Sequence, residues 1–398
     1  MSKMSVLQPH ASENRFTLLL FIHAAFVLIG IVTTLLGVIM PALSGRLNLN
    51  DAQSGIFFTV QFGGSLFGTF VSAVLWKRFG FLITLFVGLI AMVIGVFGFG
   101  WLDWKGVALC ILLNGIGIGL TIPTSNLLVV TLNPDRQAAS LNILNFAWGL
   151  GALLSPTLFG LLGTQQDIRL PVGVLSVLLL VAAFCFLLFL FVSITIANPQ
   201  TPTLQSSLTR IWRMPFAIIT AVLLFFYVGT ESSLGGWITA YSLRLEAAET
   251  TLWTPTIFAF WTSFLLGRLF APLGLKRIKA SVYVLFSLVI AVLGIFLLLA
   301  TTQLIFVIIG VIFAGFGLAP VFPTVLAEFT RRFGEEGARQ ANWLFIGSTL
   351  GGAFLTWSVG FLSNAFGSLQ SGFFAVFICC LLMIALQAFL YFNGKNKI

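Results

Sequence analysis

The sequence predicts an all-α polytopic membrane protein, with twelve transmembrane helices in two pseudo-symmetric six-helix bundles. Three observations carry this prediction. Of 398 residues, 59% are hydrophobic and only 8% are charged, with a mean hydropathy of +1.08. A soluble domain has about 25% charged residues. The apolar stretches have the roughly 20-residue length that a helix needs to cross a bilayer, where barrel strands would be about ten residues of alternating polarity. The second half also repeats residues of the first at a fixed spacing.

The spans follow in order. A polar stretch, Met1 to Arg15, precedes the first at 16–42, which is too long for a cleavable signal and reads as a signal anchor. The second, 52–76, carries Gly63, Gly64 and Gly68, small residues that let helices approach. The third is 81–101. The fourth, 105–131, holds Gly115, Gly117 and Gly119, then Pro123, which removes a backbone donor and predicts a kink. The fifth and sixth are 139–163 and 171–197. A linker at 198–214, rich in Pro, Thr, Ser and Gln, separates the N-terminal bundle (1–197) from the C-terminal bundle (215–398). The remaining spans are 215–243, 252–273, 281–300, 303–330, 339–363 and 370–393, with Pro320 and Pro323 predicting a kink in the tenth.

The halves align 200 positions apart. Gly115, Gly117, Pro123 and Thr124 recur as Gly315, Gly317, Pro323 and Thr324, and Asn142, Leu144, Leu150, Gly151 and Gly160 as Asn342, Leu344, Leu350, Gly351 and Gly360. Repeated halves are a transporter architecture, with binding near the midplane where the repeats meet.

The net charge of +9 is a topology signal, not a nucleic-acid footprint. Lys77, Arg78, Arg210, Arg213, Lys276, Arg277, Lys279, Arg331 and Arg332 fall on the side of the termini, against Arg46, Lys105, Arg169 and Arg244 opposite. The positive-inside rule then makes both termini cytoplasmic, and the basic side can meet anionic membrane lipid. The expected location is a bacterial inner (plasma) membrane. Cys110, Cys185, Cys379 and Cys380 lack metal-ligand spacing. No P-loop, HExxH or GxSxG is present, so catalysis and ATP-driven pumping by this chain are disfavoured. No cofactor, metal or catalytic residue is expected, and the chain is expected to be a monomer.

Glu231 stands out. It lies mid-span in Phe225 to Trp237, where a carboxyl costs about 2.5–3.5 kcal/mol on insertion scales, which makes it a functional-site hypothesis. It is the candidate coupling residue, taking up and releasing a proton, or binding a cation such as sodium. It can instead accept substrate hydroxyls, or be a protonated packing group. Tyr227 lies one turn before it on the same face. Gly235 and Gly236 one turn later predict a break that swings Trp237 toward a cavity.

The remaining solute-binding candidates are amides and flat aromatics, as a sugar needs. They are Gln61, Asn126, Asn142, Asn145 and Trp148 in the first half, and Trp261 and Asn342 in the second, alongside Tyr227, Glu231 and Trp237. Asn142, Asn145 and Trp148 recur every third residue and form one stripe. Interhelical hydrogen bonding is the alternative for each Asn. His23 is expected to pack or hydrogen-bond. Arg268 and Glu328 are the gating candidates, a pair at the terminal side of spans eight and ten.

This layout resembles the major facilitator superfamily. The loop after span two keeps the family's basic pair as Lys77-Arg78 before Phe79-Gly80 but lacks its Asp. Four segments are similar to the fucose–galactose–glucose:proton symporter branch and its sugar-transporter relatives: Tyr227 to Trp237, Phe260-Trp261 through Gly267-Arg268, Gly317 to Thr324, and Phe345-Ile346-Gly347 through Gly352. Fucose permeases carry acids in spans one and four. Span one has none here, and Ile122 stands near the expected acid of span four. The resemblance implies a secondary transporter of a small polar solute, a sugar or polyol, working by alternating access. The high Phe content, 43 residues, keeps open an exporter of amphipathic drugs or metabolites. A membrane receptor or sensor is the non-transporting alternative.

Overall fold

A computed structural model describes residues 9–133, 136–191, 210–246 and 252–395. Most of the predicted 198–214 linker and the start of the Met1–Arg15 leader lie outside these residues. The helices are α1 (Pro9–Leu47), α2 (Asp51–Phe79), α3 (Phe81–Gly98), α4 (Trp104–Leu132), α5 (Gln137–Leu162), α6 (Arg169–Leu188), α7 (Pro215–Glu246), α8 (Pro255–Leu275), α9 (Ala280–Ala300), α10 (Leu304–Leu318), α11 (Val321–Phe366) and α12 (Leu369–Lys395). Twelve segments of the described chain are long and apolar enough to cross a bilayer, and each matches one predicted span.

Helices and spans cease to correspond one to one at α10 and α11. α10 stops at Leu318, and α11 runs from Val321 through the following turn into the next span, leaving helical φ/ψ only at Gly334 (φ 58°, ψ −138°). The tenth and eleventh spans are therefore Leu304–Gly334 and Gln340–Phe366. Pro320 and Pro323 supply the predicted interruption of the tenth. Pro320 precedes the first residue of α11, and Pro323 occupies its first turn, where a missing N–H breaks no helical bond. Pro123 instead sits inside an uninterrupted α4, where Thr121 and Thr124 donate to the Gly117 and Leu120 carbonyls at 2.9 and 2.6 Å.

The chain forms two compact units, residues 1–33, 64–152 and 172–201, and residues 34–63, 153–171 and 202–398. Their boundaries cut through α1, α2, α5 and the first turn of α6. In the first unit α3 and α4 pack through Gly117, where a Cβ would strike Met92 and the Gly88 carbonyl. α1 and α5 cross at Gly30 and Gly151. The second unit repeats this scheme internally. Gly317 of α10 lies against Ser287 and Ala291 of α9, and Gly351 of α11 against Phe225 of α7. Glycines at matching repeat positions thus serve matching helix crossings, because only a bare Cα lets two backbones come this close.

The second unit also holds the ends of α1, α2 and α5 that point away from the termini. Gly37 of α1 abuts Gly235 and Gly236 of α7. Along α2, Asp51, Gly55, Thr59 and Phe62 meet Gly360, Trp357, Ala353 and Gly352 of α11 in turn. Gly160 of α5 packs on Trp253, just before α8.

Candidate functional site

The local sequence sets the core of the site. α7 is unbroken, so Tyr227 and Glu231 fall one turn apart on one face. Tyr227 is buried at 1% exposure, while Glu231 remains half-buried. α8 contributes Arg268, whose guanidinium lies over the Phe264 ring at 4.6 Å. The charges of Glu231 and Arg268 act on each other, and the Tyr227 hydroxyl lies beside both, in looser geometry than a standard hydrogen bond. A carboxylate inside a membrane helix is thereby matched by a cation on the neighbouring helix, the arrangement expected where an ionisable group must be kept at depth.

Aromatic rings wall this cluster. Phe322 lies 5.8 Å from Tyr227 and Phe345 5.5 Å from Phe322. Trp261 packs between Phe260 and Phe264 at 5.1 and 5.7 Å. The buried hydroxyls of Thr230, Ser233, Thr262 and Thr356 make no protein hydrogen bond among the described residues. Buried hydroxyls are usually paired, so this concentration marks the interior around α7 as unusually polar.

Two expectations are corrected here. Gly235 and Gly236 do not break α7, which runs continuously from Pro215 to Glu246. They make room for Gly37, Trp261 and Phe58 to approach, so the glycines serve close packing within a continuous helix. Trp237 consequently does not swing toward a cavity. It is 1% exposed, packs on Phe58 at 5.6 Å and donates its indole N–H to the Thr356 carbonyl at 2.9 Å.

Arg268 and Glu328 have separate surroundings in this structure. Arg268 engages Tyr227 and Glu231, whereas Glu328 accepts from the Ser281 hydroxyl at 2.8 Å and lies 3.9 Å from Arg331.

The first-half candidates divide. In α5, Asn142 and Asn145 are both exposed on one face, and Asn145 Nδ2 donates to the Leu141 carbonyl at 2.9 Å. Trp148 is half-buried and donates to the Thr33 hydroxyl at 2.9 Å. Asn126 donates to the Ile122 carbonyl at 3.0 Å. Gln61 is buried on α2, within the second unit. Asn342 is half-buried on α11. His23 Nδ1 lies 2.6 Å from the Leu19 carbonyl, a hydrogen-bonding role as expected.

One cluster escaped the sequence reading. Arg244, at the end of α7, donates from both terminal nitrogens to Asp51, at 2.9 and 2.6 Å. The Ser363 hydroxyl of α11 donates to the same carboxylate. The one local sign is the Asn50–Gln53 pair, which caps α2 reciprocally at 2.8 and 3.0 Å and so fixes where Asp51 stands.

Twelve spans built as a repeat, with an acid in the middle of one span and a counter-charge on the next, define a polytopic membrane transporter. The sequence profile of the Major Facilitator Superfamily matches residues 22–356, and the chain belongs to that superfamily. It is 23% identical to a glucose/mannose transporter, GlcP of Bacillus subtilis (strain 168), over 87% of this chain and 88% of the relative. It is 24% identical to a glucose/galactose transporter of Brucella abortus biovar 1 (strain 9-941), over 89% of each. The crystal structure of a D-xylose-proton symporter superposes with a TM-score of 0.75 at 15% identity, over 94% of this chain and 97% of the symporter.

Proposed function

We propose that this chain transports a sugar or related polyol by alternating access, coupled to a proton through Glu231. The observation that carries the coupling is the half-buried Glu231 on an unbroken α7, facing Tyr227 and Arg268. A carboxylate at this depth is stabilised by its counter-charge, and protonation removes that attraction and releases Arg268 for other partners. The ionised and protonated states therefore favour different side-chain arrangements, which is what coupling requires. Sodium is the less favoured ion, because the neighbouring guanidinium repels a second cation placed at Glu231. The names of the hexose-transporting relatives support the solute class, and the exposed amides of Asn142 and Asn145 suit neighbouring hydroxyls.

On this reading residues 1–197 and 215–398 act as the two moving bundles, joined by the 198–214 linker. The basic side lies in the cytoplasm of a bacterial inner membrane and meets anionic lipid. The test is Glu231→Gln in proteoliposomes loaded with glucose, galactose or xylose. A coupling acid loses proton-driven accumulation while sugar counterflow persists. Accumulation at the parent level in the variant would remove Glu231 from coupling.

A further inference from the structure

The Asp51, Arg244 and Ser363 cluster joins three helices that the repeat assigns to different halves. α2 supplies the carboxylate, α7 the guanidinium and α11 the hydroxyl. Two parallel N–H···O bonds to a carboxylate are among the stronger and most orientation-specific side-chain contacts. The Asp51 side chain is 15% exposed and that of Arg244 50%, so the pair is only partly shielded from solvent.

Beneath it runs a seam of glycine and aromatic contacts. Gly55 sits on Trp357, Phe58 on Gly236 and Trp237, and Phe62 on Gly352. Thr59 supplies a hydrogen bond, to the Ala353 carbonyl at 3.2 Å. Gly37 against Gly235 and Gly236 closes the neighbouring α1–α7 crossing. Glycines let the backbones of such a surface come close, and the contacts they make carry little directional attraction. Asp51 adds to this seam a charge-assisted tie from α2 to α7 and α11.

We propose that Asp51, Arg244 and Ser363 form a strap over the face opposite the termini, which must open for α2 to separate from α7 and α11. Asp51 and Arg244 then set the balance between the closed and open states of that face and take no part in recognising the solute. The inference rests on alternating access, but it can be tested without moving any sugar.

Ser54 reports the seam. It is 1% exposed and shares the seam face of α2 with Asp51 and Phe58 by helical spacing. S54C, in a background with Cys110, Cys185, Cys379 and Cys380 replaced by alanine, is labelled with a membrane-impermeant maleimide. S176C in α6, at a site 4% exposed, is the control for general loosening. Asp51→Asn and Arg244→Gln are each expected to raise S54C labelling about tenfold, the shift in open population expected from losing a charge-assisted pair. S176C should stay slow. Ser363→Ala keeps the ion pair and should give a smaller rise. The exchange of Asp51→Arg with Arg244→Asp should return labelling toward the parent. Unchanged S54C labelling in both single variants overturns the proposal, and so does a rise matched at S176C. A protein that moves no sugar would still show the labelling pattern, so the two failures are separable.

Discussion

Gly30 of α1 and Gly151 of α5 meet so closely that a methyl group on either would strike the other helix's backbone. Gly229 of α7 and Gly351 of α11 meet in the same way. These matched crossings are the physical content of the repeat between Gly151 and Gly351.

Filling either crossing should destabilise the fold. Gly151→Val and Gly351→Val each force backbone apart, an overpacking cost of about 1–3 kcal/mol. Gly347 on the same helix as Gly351 has open space where its Cβ would lie, so Gly347→Ala should keep or slightly raise stability. Thermal unfolding in detergent checks both outcomes.

Arg268 should be more damaging to lose alone than together with its partner. Arg268→Gln strands the Glu231 charge at mid-span, whereas Glu231→Gln with Arg268→Gln removes both charges. Breaking one side of a buried pair costs about 3–5 kcal/mol, and the partial exposure of both groups lowers that figure here. The double variant should melt higher than Arg268→Gln. Additive losses in a double-mutant cycle would show that the two residues do not interact.

Trp237→Phe should lower stability without changing solute affinity. The ring volume is largely kept, but the hydrogen bond to the Thr356 carbonyl is lost, at about 1 kcal/mol. Calorimetry should show the lower melting temperature. A large rise in sugar KM would instead mean that Trp237 reaches the solute in another state.

Asn142→Ala should raise sugar KM about tenfold, the equivalent of one lost hydrogen bond. Asn145 already donates to the Leu141 carbonyl, so Asn145→Ala should have the smaller effect. Equal KM values in both variants and the parent would remove the α5 stripe from the binding surface.

The features legible in the sequence were those written in short-range spacing. Apolar length marked the twelve spans, Gly and Pro at fixed offsets marked the repeat, and one helical turn placed Tyr227 beside Glu231. Arg268 was expected to meet Glu328, because both lie toward the same end of their spans, and its charge relation to Glu231 was not foreseen. Sequence position does not say which way a long guanidinium turns. Gly235-Gly236 was misread for a related reason. Glycine permits both a helix break and a close crossing, and only the approach of Gly37, Phe58 and Trp261 selects the crossing.

The sequence by itself determined a membrane-spanning repeat with an acid in the middle of one span, because bilayer insertion and helix periodicity act on contiguous residues. Tertiary structure decided the partners. Asp51 finds Arg244 across 193 positions and Ser363 across 312. Glu231 finds its counter-charge on the next helix. Such contacts depend on how the helices cross, and no local pattern along the chain encodes them.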